Sequence, residues 1–266
     1  MKFDDHSLFR EAGDLHASAA AGFRFGTKGT HTSRTIMLLE LRALFQATGP
    51  NAGRADYAAA VVKENCLAKK TIATRRLSAQ RLSELYGLDS SIPVFRVLRK
   101  LWNLNEESRP LLAIQCSIAR DPLLAATAYP ILSIPIGDDF PRESVRAALL
   151  KSVGERLNDS TLNKVVRNAA SSWTQSGHLQ GRTLKKRLQV YPTPVNVAYS
   201  LFLARCGGFR GTELFTCGWM LLLDCSPSMA RELAFEAKRL GLIDLRMAAD
   251  VIELNLDRLS SGVQGL

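Results

Sequence analysis

Lys164, Asn168, Ser171 and Gln175 recur four, three and four residues apart, the spacing that sets side chains on one side of an α-helix. A cation, two carboxamides and a hydroxyl are the groups that contact phosphates and hydrogen-bond base edges in a DNA groove. Arg167 lies beside them, and Leu162, Val166, Ala169 and Trp173 repeat the same spacing on the opposite side. An apolar stripe that anchors a helix, backed by a polar one, is what a recognition helix needs. The sequence predicts that helix over 161–175, capped by Asn158, Asp159 and Ser160 and closed by Gly177. The segment 178–187 follows, where the basic β-wing of a winged helix would stand, and it carries Arg182, Lys185, Lys186 and Arg187. A solvated surface can carry similar residues, but their surroundings favour contact with DNA.

Those surroundings are a tract over 160–212 without a single Asp or Glu, in which Arg205 and Arg210 join the six cations just named. Like charges repel, so a one-sign tract of this length implies a polyanionic partner. Trp173, Tyr191, Tyr199 and Phe202 are interleaved with the cations, which marks a folded surface rather than a tail. The whole chain of 266 residues carries a formal net charge of +10, with a pI of about 9.6. Double-stranded DNA is the expected partner.

The elements expected to position these residues are mainly α: tandem helix-turn-helix or winged-helix units with short β-hairpins. A first unit over 33–105 holds a helix over 33–47 with Ser33 as its cap, one over 54–65, and one from Thr71 to a stop at Gly87. On this third helix Ile72, Ala79, Leu82 and Leu85 form a packing side, while Arg75, Ser78 and Arg81 share another, flanked by Lys69, Lys70 and Arg76. It is a second candidate DNA contact, or equally a solvated basic face. A unit over 106–192 holds central helices, including one over 142–155 opened by Pro141, and then the helix and wing described above. A unit over 193–266 holds apolar helices over 194–206 and 213–224, a helix opened by Ser226 and Pro227, and a hairpin of strands 242–247 and 251–256. Its third helix mixes Arg231, Lys238 and Arg239 with Glu232 and Glu236, which suits protein contact better than a phosphate track. Residues 1–32 are expected as a mobile arm, alternating like a short strand over 23–29.

Other chemistry is thinly represented. Four histidines (His6, His16, His31 and His178) are too scattered for a zinc site, and five cysteines form no C-x-x-C pair. The glycines between Gly207 and Gly211 lack the Lys-Ser/Thr of a phosphate-cradling loop. Asp138, Asp139 and Glu143 are the one carboxylate group that could serve a metal-dependent nuclease, and no Ser-His-Asp arrangement is legible. The most apolar stretch, 122–136, is short and broken by Pro130 and Pro135, so no membrane span is expected. Asp4 and Asp5 near the start and the lack of a long apolar region speak against an export signal, and a cytoplasmic protein is expected. No cofactor, metal or small-molecule substrate is expected.

The step Arg120-Asp121-Pro122-Leu123-Leu124 and the block from Thr161-Leu162-Asn163 to Trp173-Thr174-Gln175-Ser176-Gly177-His178-Leu179 resemble the small "A" proteins of BREX-type bacterial phage-defence systems. The resemblance implies a non-catalytic DNA-binding accessory, encoded beside a methyltransferase and an ATPase, with other defence proteins as possible partners. It assigns no functional residues. The alternative from the residues themselves is a protein adaptor in a larger complex, supported by the mixed-charge third helix and the apolar content of 194–224.

Overall fold

Two helices without a polar side organise the molecule. In the computed structural model, which describes residues 8–10, 15–248 and 251–260, every residue from Leu111 to Arg120 and from Val195 to Ala204 is buried. A helix that is apolar nearly all round has to be sheathed by others, and the remaining elements do this. In chain order they are α1 (Leu15–Ala21), a 3-10 turn (Thr30–Thr32), α2 (Leu38–Ala47), α3 (Arg54–Val62), α4 (Ile72–Tyr86) and α5 (Pro93–Leu101). The first central helix, α6 (Arg109–Arg120), comes next, then α7 (Pro122–Ala125), α8 (Ala128–Leu132), α9 (Arg142–Val153) and α10 (Asp159–Gln175). After the hairpin β1 (Leu179–Gln180) and β2 (Lys186–Arg187) comes the second central helix, α11 (Pro194–Cys206). A 3-10 turn (Gly211–Phe215), α12 (Gly218–Leu221), α13 (Pro227–Arg239), the hairpin β3 (Asp244–Ala248) and β4 (Val251–Asn255), and α14 (Asp257–Ser260) complete it. The fold is mainly helical with two small antiparallel hairpins. No described helix is long and apolar enough to cross a membrane.

α6 packs on α4, α5 and α11, and α11 packs in turn on α5, α12 and α13. One contiguous core therefore draws on all three expected units, from Leu8 to Leu259. Inside it Gln115 ties the two central helices together: its Nε2 donates to the Asn196 carbonyl and to Ser200 Oγ, at 2.9 and 2.8 Å. The helix starts follow local chemistry. Thr71, Asn158 and Ser226 cap α4, α10 and α13 with their side-chain oxygens, each worth about 1 kcal/mol. Pro194 opens α11 after a capping box of Thr193 and Asn196.

Several expectations are corrected. Ser33 does not cap α2: the helix begins at Leu38, and Ser33 ends the preceding 3-10 turn. The segment 213–224 is not one helix but the 3-10 turn and the short α12, because its apolar side chains must fold around α11 and Trp219 rather than continue straight. No strand forms over 23–29, where Arg24 N–H reaches only the Ala119 carbonyl. Part of the expected arm is packed into the fold: Leu8, Phe9, Phe23 and His31 are buried, and Phe9 and Phe23 both pack against the Trp219 ring. Residues 1–7 and 11–14 of that arm lie outside the described ones.

Candidate nucleic-acid interface

α10 is divided lengthwise into three sides. Leu162, Val166, Ala169 and Trp173 enter the core as predicted. The side bearing Asn168 and Gln175 is covered by the chain itself. Asn168 Nδ2 donates to the His31 carbonyl at 2.8 Å, and Gln175 Nε2 donates to Thr35 Oγ1 at 2.9 Å. Gln175 Oε1 also accepts the Leu38 N–H, and Ser172 Oγ accepts the Ile36 N–H. These two carboxamides read the backbone of residues 31–38 rather than base edges. They leave the candidate set for that reason.

The third side stays open. At 100° per residue, positions 160, 163, 164, 167, 171 and 174 fall within an arc of about 100°. Lys164 and Arg167 are exposed and have no ion-pair or hydrogen-bond partner among the described residues, and Ser171 on the same side is half-buried. From α9, which packs alongside, Arg142 Nη2 reaches Asn163 Oδ1 at 3.1 Å. Arg142 was missed by the sequence reading, yet it carries a signal: a cation in the first turn of a helix opposes the helix dipole, so something else must favour it there.

The segment after α10 forms the β1–β2 hairpin against the end of that helix. Gly181 makes its turn possible: at φ +115° a side chain is strained, and a Cβ would lie 2.0 Å from the Leu184 carbonyl oxygen. Arg182 and Leu184 project from the loop, Leu184 being 82% exposed, and Arg182 has no described partner. Lys185 Nζ turns inward to Thr174 Oγ1 and the Gly181 carbonyl, both at 2.8 Å, and partial burial lowers its pKa. Lys186 remains exposed but lies 3.3 Å from Asp139. Arg187 is corrected outright. It is 1% exposed and ion-pairs with Asp224, whose other oxygen takes the Val190 N–H. It holds the base of the hairpin to the loop after α12 and offers nothing to a phosphate.

The candidates on and before α4 divide similarly. Lys70 and Arg76 are exposed and without described partners. Lys69 pairs with Glu40 at 2.9 Å, Arg81 with Glu84 at 2.7 Å, and Arg75 donates to the Lys69 and Val62 carbonyls. Ser78 is buried rather than shared with a polar side. Two of the five cations remain free there.

A buried chain of Asp121, His31 and Ser172 lies behind the covered side of α10. His31 Nδ1 is 2.8 Å from Asp121 Oδ2, and Nε2 is 2.8 Å from Ser172 Oγ. The types are those of a hydrolytic triad, but all three are sealed from solvent, and the Ser172 hydroxyl donates to the Asn168 carbonyl while accepting the Ile36 N–H. Asp121 also takes the His31, Leu123 and Leu124 N–H groups, capping α7. Burial alone would raise its carboxyl; the His31 charge and these hydrogen bonds outweigh that and hold its pKa below the usual value. The chain works as a clamp that ties residues 30–36 to α7 and α10. Three separated segments build it, which is why spacing along the sequence did not reveal it.

Among the described residues no three His, Cys, Asp or Glu side chains gather to hold a metal ion, Asp138, Asp139 and Glu143 included. Residues 137–140 instead run beside β2, with Gly137 N–H on the Arg187 carbonyl and Phe140 N–H on the Lys185 carbonyl. The chain matches no protein-family model and no curated protein.

Proposed function

We propose that the protein binds double-stranded DNA, with the open side of α10 entering a major groove and the 181–185 loop following the backbone. One observation carries this reading: Lys164, Arg167 and Arg182 stand exposed and unpaired on a helix and a loop that share the Lys185–Thr174 contact. Keeping three cations unpaired on adjoining elements is unfavourable unless an anion neutralises them. A helix 17 residues long is about 25 Å, ample for a groove. The winged-helix description belongs to this proposal: α9 and α10 would be its helix pair, β1–β2 its wing, and Lys70 and Arg76 would add a second phosphate contact. So does the non-catalytic role in phage defence that the BREX resemblance implies.

The test is fluorescence anisotropy of a labelled duplex of about 30 base pairs across a salt series, beside an unrelated duplex and a single strand. Duplex-preferring binding that weakens steeply with salt supports the reading, and no binding at low salt sinks it. A protein adaptor is the second reading, favoured by Phe235 and Leu240, which are 42% and 63% exposed on the mixed-charge α13. The apolar content of α11 no longer supports it, because that helix is core. Partners retained in a pull-down after nuclease digestion would favour the adaptor.

A further inference from the structure

Arg96, Arg99 and Lys100 of α5, with Asn103 just beyond its end, repeat at three, one and three residues and so share one side of the helix. All four line a cavity of about 550 Å³, together with Tyr57 and Ser91, and no acidic side chain lines it. Arg99 is the telling residue. It is 6% exposed, its guanidinium lies 4.6 Å above the Phe45 ring, and it donates to Tyr57 Oη at 3.3 Å and the Thr48 carbonyl at 3.0 Å. Its Nη1 has no partner, and no described carboxylate pairs with it.

A buried guanidinium without a counter-charge is costly, whereas neutral acceptors compensate it only in part. Its neighbours do not help. Arg96 donates to the Ser260 and Ser90 carbonyls, and Lys100 to the Arg258 carbonyl, so three positive charges meet only uncharged oxygens. Neither Asp56 of α3, which accepts the Gly53 N–H, nor Asp89, which accepts the Ser91 N–H and hydroxyl, lines the cavity. We propose that this cavity binds a small phosphate-bearing molecule. A doubly charged tetrahedral oxyanion suits three cations and the amide donor of Asn103. The volume exceeds what orthophosphate alone fills, which favours pyrophosphate or a phosphomonoester. None of the α10 or wing cations lines the cavity, so the proposal stands apart from the DNA reading.

The experiment is calorimetric titration of the full chain with orthophosphate and with pyrophosphate, at ionic strength held constant with chloride. Pyrophosphate is expected to bind at one site, and more tightly than orthophosphate. Arg99→Gln should abolish the heat. Because Arg99 also packs the fold, the exposed Asn103→Asp is the companion variant: a carboxylate on the same side should weaken binding by at least about tenfold while the circular dichroism stays native. Lys164→Ala/Arg167→Ala should bind pyrophosphate as the wild type does. No heat at millimolar pyrophosphate, undiminished affinity in Asn103→Asp, or loss of binding in the α10 variant would each overturn the assignment.

Discussion

Gln175 caps a helix that starts 137 residues before it: its Oε1 accepts the Leu38 N–H at 3.1 Å. Together with Asn168 and Ser172, it makes one side of α10 a docking track for residues 31–38. Position around α10 therefore separates a scaffolding side from an open, cationic one within a single turn. Asn168→Ala and Gln175→Ala should each cost about 1–3 kcal/mol in urea unfolding, since each strands buried backbone groups. The folded fraction should still bind duplex with wild-type affinity.

Lys164→Ala and Arg167→Ala are expected to do the reverse. Unfolding midpoints should stay within about 0.5 kcal/mol of wild type, as for other exposed sites. Each should weaken duplex binding and lower the slope of log affinity against log salt by about one. Equal slopes in wild type and the double variant would remove α10 from the interface.

Arg182→Ala and Arg187→Ala separate two roles within the 178–187 hairpin. Arg182→Ala should lower the salt slope by about one without changing stability. Arg187→Ala leaves the partly buried Asp224 without its counter-charge, and should destabilise by about 3–5 kcal/mol. Replacing Lys185, Lys186 and Arg187 together would confound these effects, because one of the three is structural and one is tied to Thr174.

Local grammar was legible and long-range use was not. The 194–206 helix, the C-terminal hairpin and the 178–187 hairpin follow from proline, caps and alternation, which act between near neighbours. The apolar stripe of α10 was legible for the same reason. A polar side that faces the chain's own backbone, however, has the same composition as one that faces a nucleic acid, so Asn168 and Gln175 looked like base readers. Arg187 shows a second limit. Its partner Asp224 lies 37 residues on, outside the acid-free tract, and a one-sign stretch of sequence need not be a one-sign surface. His31, Asp121 and Ser172 show a third, since only the fold brings them together.

Acid should unfold the protein through two groups with separable ranges. Burial pushes the His178 imidazole down to about 4, and its ring nitrogens are held by Ser176 and the Leu222 carbonyl. The unfolded chain takes up a proton near pH 6.5 while the folded one does not, so stability should fall as pH drops from about 6.5 to about 4. The full loss is about 3 kcal/mol for a shift of this size. Asp121 behaves differently. Its folded pKa is depressed, so its contribution is complete above the unfolded value of about 3.9 and disappears as pH falls through the lower folded value. Urea midpoints measured from pH 7 to pH 3 should therefore decline through the histidine range and go on falling below it. His178→Gln should flatten the first decline and Asp121→Asn the second. A first decline unchanged in His178→Gln would mean that another group controls that range.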